Sequence, residues 1–465
     1  MALEKMKIQS LKKAYEGSYL SPHEVRDEGY EKGAGLDEAY GLFLTWLPKK
    51  DSDRHIIPAA AADNLCLEGE RTTCASRIME NYHSPFSAFA LEKAAVAGFE
   101  VVAKSNLDEF GIGDSTGVSP FKTTVNPWKE GHQGGSGAAA AVASGAVMAA
   151  FASDASGGLR QEASYSGVVG VKPTYGRVSR RGLIDYASSL DQVGVLGRCV
   201  EDAAYALAAI SGHDPKDPTS IDRPVDFDPP LKQPGGPITM ACPREWQEAK
   251  GLDAAVAKVF GKTLEHLSSQ GIQIEEVSLP ALKWSSPVTA LIASVEAFST
   301  LANFDGIRFG ERARGEHLQD MYVQTRTRGF GPRVKEFLTY GALVSSGKNY
   351  QDYFLWAQKC RRFIRDQVLA LLENSFFIIL PTVPFAPPPL EEKSPGPEPK
   401  GHIFTSPANL AGLPAVSLPA GIHDALPVGL QLIGRPFGEG PLLQAAALLE
   451  DIISFPGLAL GEQEG

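Results

Sequence analysis

The amino-acid sequence predicts an α/β layered fold. Three observations carry this: two helix-then-strand units with apolar residues at helical spacing, several short apolar runs bounded by Pro or Gly, and an ordinary globular composition. Of 465 residues, 43% are hydrophobic and 21% are charged, enough apolar side chain to fill one large compact domain.

The elements follow in chain order. Residues up to about 50 read as an N-terminal helical segment. Phe86, Phe89, Ala90, Ala94 and Ala97 fall on one helical face, Gly98 ends the helix, and Phe99 to Ala103 is strand-like. The most continuously apolar stretch, 137–152, consists mainly of Ala, Gly and Val around Ser144. It reads as one buried helix, shorter than the roughly 18 residues a membrane span needs. The helix-strand unit recurs where Val256, Val259, Phe260, Leu264 and Leu267 keep helical spacing, Gly271 stops the helix, and Ile272, Ile274 and Val277 follow. Further strands are expected at 376–380, 415–418 and 428–432. Pro-rich stretches at about 214–237 and 381–399 read as long surface loops within a single domain spanning 1–465, because the patterns around each continue one sheet.

Charge and composition exclude several roles. With 44 Lys+Arg against 55 Asp+Glu, the net charge of −11 disfavours a whole-surface binder of DNA or of an anionic membrane. The pair Arg180-Arg181 and the group Arg326, Arg328, Arg333 and Lys335 read as solvated faces, so any tRNA contact is expected to be indirect. No basic segment followed by an apolar core opens the chain, and a cytoplasmic protein is expected. Cys66, Cys74, Cys199, Cys242 and Cys360 are scattered without a CxxC pair and read as reduced thiols. The nine histidines show no metal-binding spacing, and neither a dinucleotide nor a P-loop fingerprint occurs, so no metal and no cofactor are expected.

The chemically informative block runs from His132 to Arg177. Gly134-Gly135-Ser136-Gly137 leads into an Ala-rich helix, and Ser153-Asp154-Ala155-Ser156-Gly157-Gly158-Leu159-Arg160 follows. A Gly-rich loop entering a helix presents unpaired backbone N–H groups that suit a phosphate or a developing oxyanion.

These segments, with Arg71 to Ser76, Asn106 to Phe110, Asn126-Pro127-Trp128, Gly167 to Arg180, Ser188 to Gln192, Phe304 to Arg308 and Asn409 to Pro414, match the amidase signature family in order and spacing. The sequence resembles that family along nearly its whole length, and within it the A-subunit branch of the tRNA-dependent Asp/Glu amidotransferases. The resemblance implies a single mixed β-sheet flanked by helices on both sides, B-like and C-like partner subunits, and amide hydrolysis by a neutral Lys, a Ser in a cis peptide and a nucleophilic Ser.

At all three of those positions the sequence departs from the family. In Pro58-Ala59-Ala60-Ala61-Ala62-Asp63-Asn64 the Lys position holds Ala62. Gly158 stands where the resemblance places the nucleophile, and Gly134, 24 residues earlier, stands at the cis-Ser position. The resemblance assigns the oxyanion loop to the backbone of Ala155, Ser156 and Gly157. In the substrate pocket it places His402 where the family has an acidic partner for an α-ammonium, Phe309 where it has Tyr, and Arg361 where it keeps an Arg suited to a carboxylate. Ser136 and Ser156 are the candidate substitute hydroxyls, displaced by two residues each and without a base at position 62. Lys104 and Lys172 read as structural. The expected function is a catalytically impaired or inactive relative that serves as a scaffold. The alternatives are an active glutamine-hydrolysing subunit with an altered catalytic set and a non-catalytic binder of a small carboxylate or amide.

Overall fold

The computed structural model describes residue 3 and residues 6–50, 52–113, 117–232, 234–236, 238–391 and 400–459. Eleven strands form one mixed sheet: β1 (Phe43–Trp46), β2 (Ile57–Ala62), β3 (Phe99–Ser105), β4 (Ala149–Asp154), β5 (Val169–Lys172), β6 (Gln192–Gly197), β7 (Thr239–Pro243), β8 (Gln273–Val277), β9 (Phe377–Pro381), β10 (Ala415–His423) and β11 (Leu426–Ile433). Their spatial order is β1-β3-β2-β4-β6-β5-β10-β11-β9-β7-β8. β2 pairs in parallel with both β3 and β4. The centre of the sheet, from β4 through β6, β5 and β10 to β11, is antiparallel.

Side-chain alternation explains why helices cover both faces. In β2, Ala59 and Ala61 join the larger apolar cluster, while Ala60 and Ala62 join a second one. β4 divides in the same way, with Ala149 and Phe151 on one side and Ala150 and Ala152 on the other. Successive Cβ atoms on a strand point to opposite faces, so a sheet apolar at every position needs a layer on each side. The first face is covered in part by α3 (Phe89–Val96) and α6 (Val200–Ile210), and the second by α4 (Gly137–Ala143) and the start of α5 (Gly158–Ser166). The N-terminal segment forms α1 (Ile8–Glu16) and α2 (Pro22–Tyr40), the latter opened by a capping box between Ser21 and Glu24. The second predicted unit is α7 (Ala254–Ser269) followed by β8.

One expectation fails. The apolar stretch 137–152 is not a single helix: α4 ends at Ala143, a turn with Gly145 at φ +76° follows, and β4 begins at Ala149. Small apolar residues suit a buried helix and a buried strand equally, and it is the pairing of β4 with β2 and β6 that claims the second half. Within the second Pro-rich stretch, residues 392–399 lie outside the described residues, as do 233 and 237 of the first. Among the described residues, no helix is long and apolar enough to cross a membrane.

Candidate functional site

The parallel strands β2, β3 and β4 end at Ala62, Ser105 and Asp154. Loops leaving the carboxyl ends of such strands are where α/β sheets build ligand crevices. Here they enclose a cavity of about 30 Å³ whose wall includes Ala62, Ser105, Asn106, Ser136, Ser156 and Gly158.

The loop from β4 into α5 is held from behind. The Arg160 guanidinium lies 3.0 and 3.1 Å from the two Asp154 carboxylate oxygens and also donates to Thr405 O and Gln431 Oε1, each at 3.0 Å. Asn409 adds a 2.8 Å bond to Asp154. Burial alone would push the Asp154 carboxyl up, but the Arg160 charge and hydrogen bonds outweigh it and hold the group below the ordinary range. Gly157 caps α5 at φ +118°, and a Cβ there would lie 2.0 Å from Thr405 Oγ1, so only glycine fits.

At the expected relay position, the peptide bonds around Gly134 are trans; among the described residues the cis bond lies at Pro229-Pro230. A Cβ on Gly134 would sit 2.7 Å from the Val125 carbonyl oxygen, so the loop has closed over the space a side chain would need. Gly134 is absent from the cavity wall, whereas Ser136, two residues on, is part of it. The Ser136 hydroxyl caps α4 by accepting from Ala139 N at 3.3 Å and donates to Glu162 Oε2 at 2.7 Å. Burial pushes the Glu162 carboxyl up to about 8, opposed by the Ser136 hydrogen bond and reinforced by the like charges of Asp108 and Asp154.

The remaining expected residues divide. Ala155, Ser156 and His402 line the cavity, His402 at 2% exposure. Arg361 and Phe309 do not. The Arg361 guanidinium is turned inward, donating to Leu410 O at 3.0 Å and to Ser189 Oγ and O at 2.8 and 2.9 Å, and Phe309 is 46% exposed beside Phe304. Neither buried lysine reaches the cavity wall. Lys104 pairs with Asp63 at 3.2 Å, and Lys172 donates to Pro173 O at 2.7 Å, its amine lowered to about 7 by burial and by the Arg160 charge. Glu162, Tyr186 and Asp191 also line the cavity and were not foreseen. Burial and the neighbouring Asp185 raise the Asp191 carboxyl. For Glu162 a signal existed: it stands three residues after Leu159 and so shares its inward helical face.

The family profile described as Amidase matches residues 54–443. The chain belongs to the amidase signature family. Among the relatives of this amidase-signature chain, a glutamyl-tRNA(Gln) amidotransferase A-subunit of Moorella thermoacetica is 45% identical over 85% of this chain and 82% of its own length. One of Persephonella marina with the same name is 39% identical over 96% of this chain and 97% of its own length. The crystal structure of the glutamyl-tRNA(Gln) amidotransferase A-subunit from Thermotoga maritima superposes with a TM-score of 0.82 at 37% identity, covering 97% and 96% of the two chains. A 6-aminohexanoate cyclic dimer hydrolase, at 22% identity and TM-score 0.82 over 97% of this chain and 98% of its own, shares the amidase-signature fold.

Proposed function

We propose that this chain acts as a non-hydrolysing counterpart of the glutamyl-tRNA(Gln) amidotransferase A-subunit, a cytoplasmic scaffold or assembly component beside B-like and C-like partners. One observation carries the reading: the chain has the family's fold, while Ala62, Gly134 and Gly158, the positions that the resemblance assigns to base and hydroxyls, carry neither. A serine is a poor nucleophile without an activating base, and among the described residues the cavity wall contains no lysine. The surface is consistent with partners. Trp284 and Trp356 meet edge to face at 6.0 Å while 42% and 40% exposed, apolar area of the kind an interface covers. Contact with tRNA then belongs to the partners, since Arg180, Arg181 and Arg333 are paired with Asp185, Asp214 and Glu336.

The test is reconstitution with B-like and C-like subunits. Transamidation of Glu-tRNA with free ammonium but not with glutamine supports the proposal, and glutamine-dependent turnover refutes it. A second reading, an active enzyme with an altered catalytic set, is favoured by the contact between Ser136 and Glu162. It requires that any turnover vanish in Ser136→Ala.

A further inference from the structure

A second cavity lies at the other end of the sheet from the first. β4 starts at Ala149 and reaches Asp154 at its carboxyl end, and its six residues at about 3.3 Å each put roughly 17 Å between the two ends. Ala149 and Val169 both register with Gly197, so the chain just before β5 and just after β6 meets at this far end. There Val168 and Arg198 join Leu418 and Pro419 of β10 around a cavity of about 690 Å³, within the range of small-molecule pockets. The C-terminal helix Glu439–Ile453, residues 454–458 and the N-terminal Met6 and Lys7 contribute the rest of the wall.

The wall has an apolar and a polar part. Val168, Leu418 and Met6 are buried and offer apolar surface. Asp202, also in the wall, is fully buried; its Oδ1 accepts from Ile8 N at 2.7 Å, while its Oδ2 lies 3.7 Å from Arg198 Nε and accepts no hydrogen bond among the described residues. An unmet buried acceptor is costly and calls for a donor. The two cations of the wall are engaged already: Arg198 donates to Leu3 O at 2.9 Å and to Met6 O, and the Lys7 amine is raised by Cys199 and by the Glu450, Glu201 and Asp202 carboxylates. Burial lifts the Glu450 carboxyl to about 7, opposed by the hydrogen bond from Val200 N and by Lys7, and reinforced by Asp451 and Asp202. At pH 8 Glu450 is therefore ionised, and Asp202, Glu450 and Asp451 stand against Lys7 and Arg198, one negative charge in excess.

We propose that this cavity is a second ligand site, one that takes a small organic primary ammonium compound, its charged nitrogen donating to Asp202 Oδ2 and pairing with Glu450 while its hydrocarbon body lies on Val168, Leu418 and Pro419. A bare inorganic cation leaves the apolar surface uncovered, a carboxylate meets the excess negative charge, and an alcohol brings a donor without the charge. The site shares no wall residue with the first cavity and goes beyond the scaffold role, since it is compatible with either a hydrolysing or a non-hydrolysing protein.

The experiment titrates the full chain at pH 8 with hexylammonium chloride and, at equal ionic strength, with hexanol, sodium hexanoate and ammonium chloride, read by calorimetry, with amide exchange locating the site. The expected result is saturable binding of hexylammonium, tighter than hexanol by about tenfold or more, with no saturation by hexanoate or ammonium. Exchange should slow at residues 198–202 and 450–458 and stay unchanged at the start of α5. Glu450→Gln keeps an acceptor for Val200 N, and Asp202→Asn keeps one for Ile8 N, but each removes a charge. Each should weaken hexylammonium binding by about tenfold or more. Should Asp202→Asn fail to fold, Glu450→Gln decides. Hexanol, hexanoate or ammonium binding as tightly as hexylammonium, no saturable binding, slowed exchange at the start of α5 instead, or hexylammonium binding unchanged in Glu450→Gln would overturn the proposal.

Discussion

Replacing Glu162 by Gln keeps the shape and the acceptor for Ser136 but removes the proton that the folded state holds. Its carboxyl rises from 4.5 to about 8, so between those values the folded chain retains a proton that the unfolded chain has released. The sign follows: the stability gained by keeping Glu162 neutral is fully present below about pH 4.5 and is lost as pH rises through about 8. At 1.36 kcal/mol per pH unit the whole interval corresponds to on the order of 5 kcal/mol. Glu162 is only partly buried, and solvent screening brings the working figure to about 2–3 kcal/mol. Urea unfolding of wild type and Glu162→Gln from pH 4.5 to 9, at fixed ionic strength, isolates the effect, since Lys172, Asp191 and the other titrating groups are common to both. The two chains should be nearly equally stable at pH 4.5, with the variant ahead by about 2–3 kcal/mol at pH 9. A stability difference that is flat across this range would refute the assignment of a raised, neutral Glu162.

Three further outcomes are expected. Arg160→Ala removes the two guanidinium donors and the balancing charge from the buried Asp154 carboxylate, leaving the Asn409 bond, and should lower unfolding stability by about 3–5 kcal/mol, measured by urea denaturation. Gly134→Ser places a Cβ 2.7 Å from the Val125 carbonyl and should cost about 1–3 kcal/mol, with no glutaminase activity appearing in the single variant. Gly157→Ala, with a positive φ and a Cβ 2.0 Å from Thr405 Oγ1, should lower the thermal midpoint and loosen the start of α5, seen as faster amide exchange there.

Much of the fold was legible because periodicity speaks directly about faces. The units ending in β3 and β8 lie within a few residues of their predicted bounds, since each couples a helical apolar stripe to a glycine stop and a buried strand. The 137–152 stretch was misread for the opposite reason. Runs of Ala and Gly carry no period, so neighbouring strands decide which half becomes helix and which becomes sheet.

At the site, the family resemblance assigned Ala62, Gly134 and Gly158 to the expected base and hydroxyl positions, because identity at a fixed spacing from Asp63-Asn64 and Arg160 can be read without coordinates. It also marked His402, Ser136 and Ser156, which the fold brings to one cavity. It had no means of seeing that Arg361 turns inward to Ser189 and Leu410, or that the loop at Gly134 has closed against Val125. Nor could it see Glu162 meeting Ser136 across 26 residues, or Asp202 and Glu450 lining one cavity at the far end of the sheet. Residue identity and periodicity determine which groups are present and which face of an element they share. Hydrogen-bond partners, local charge and free volume depend on distances between elements far apart in the chain, and those exist only once the sheet has assembled.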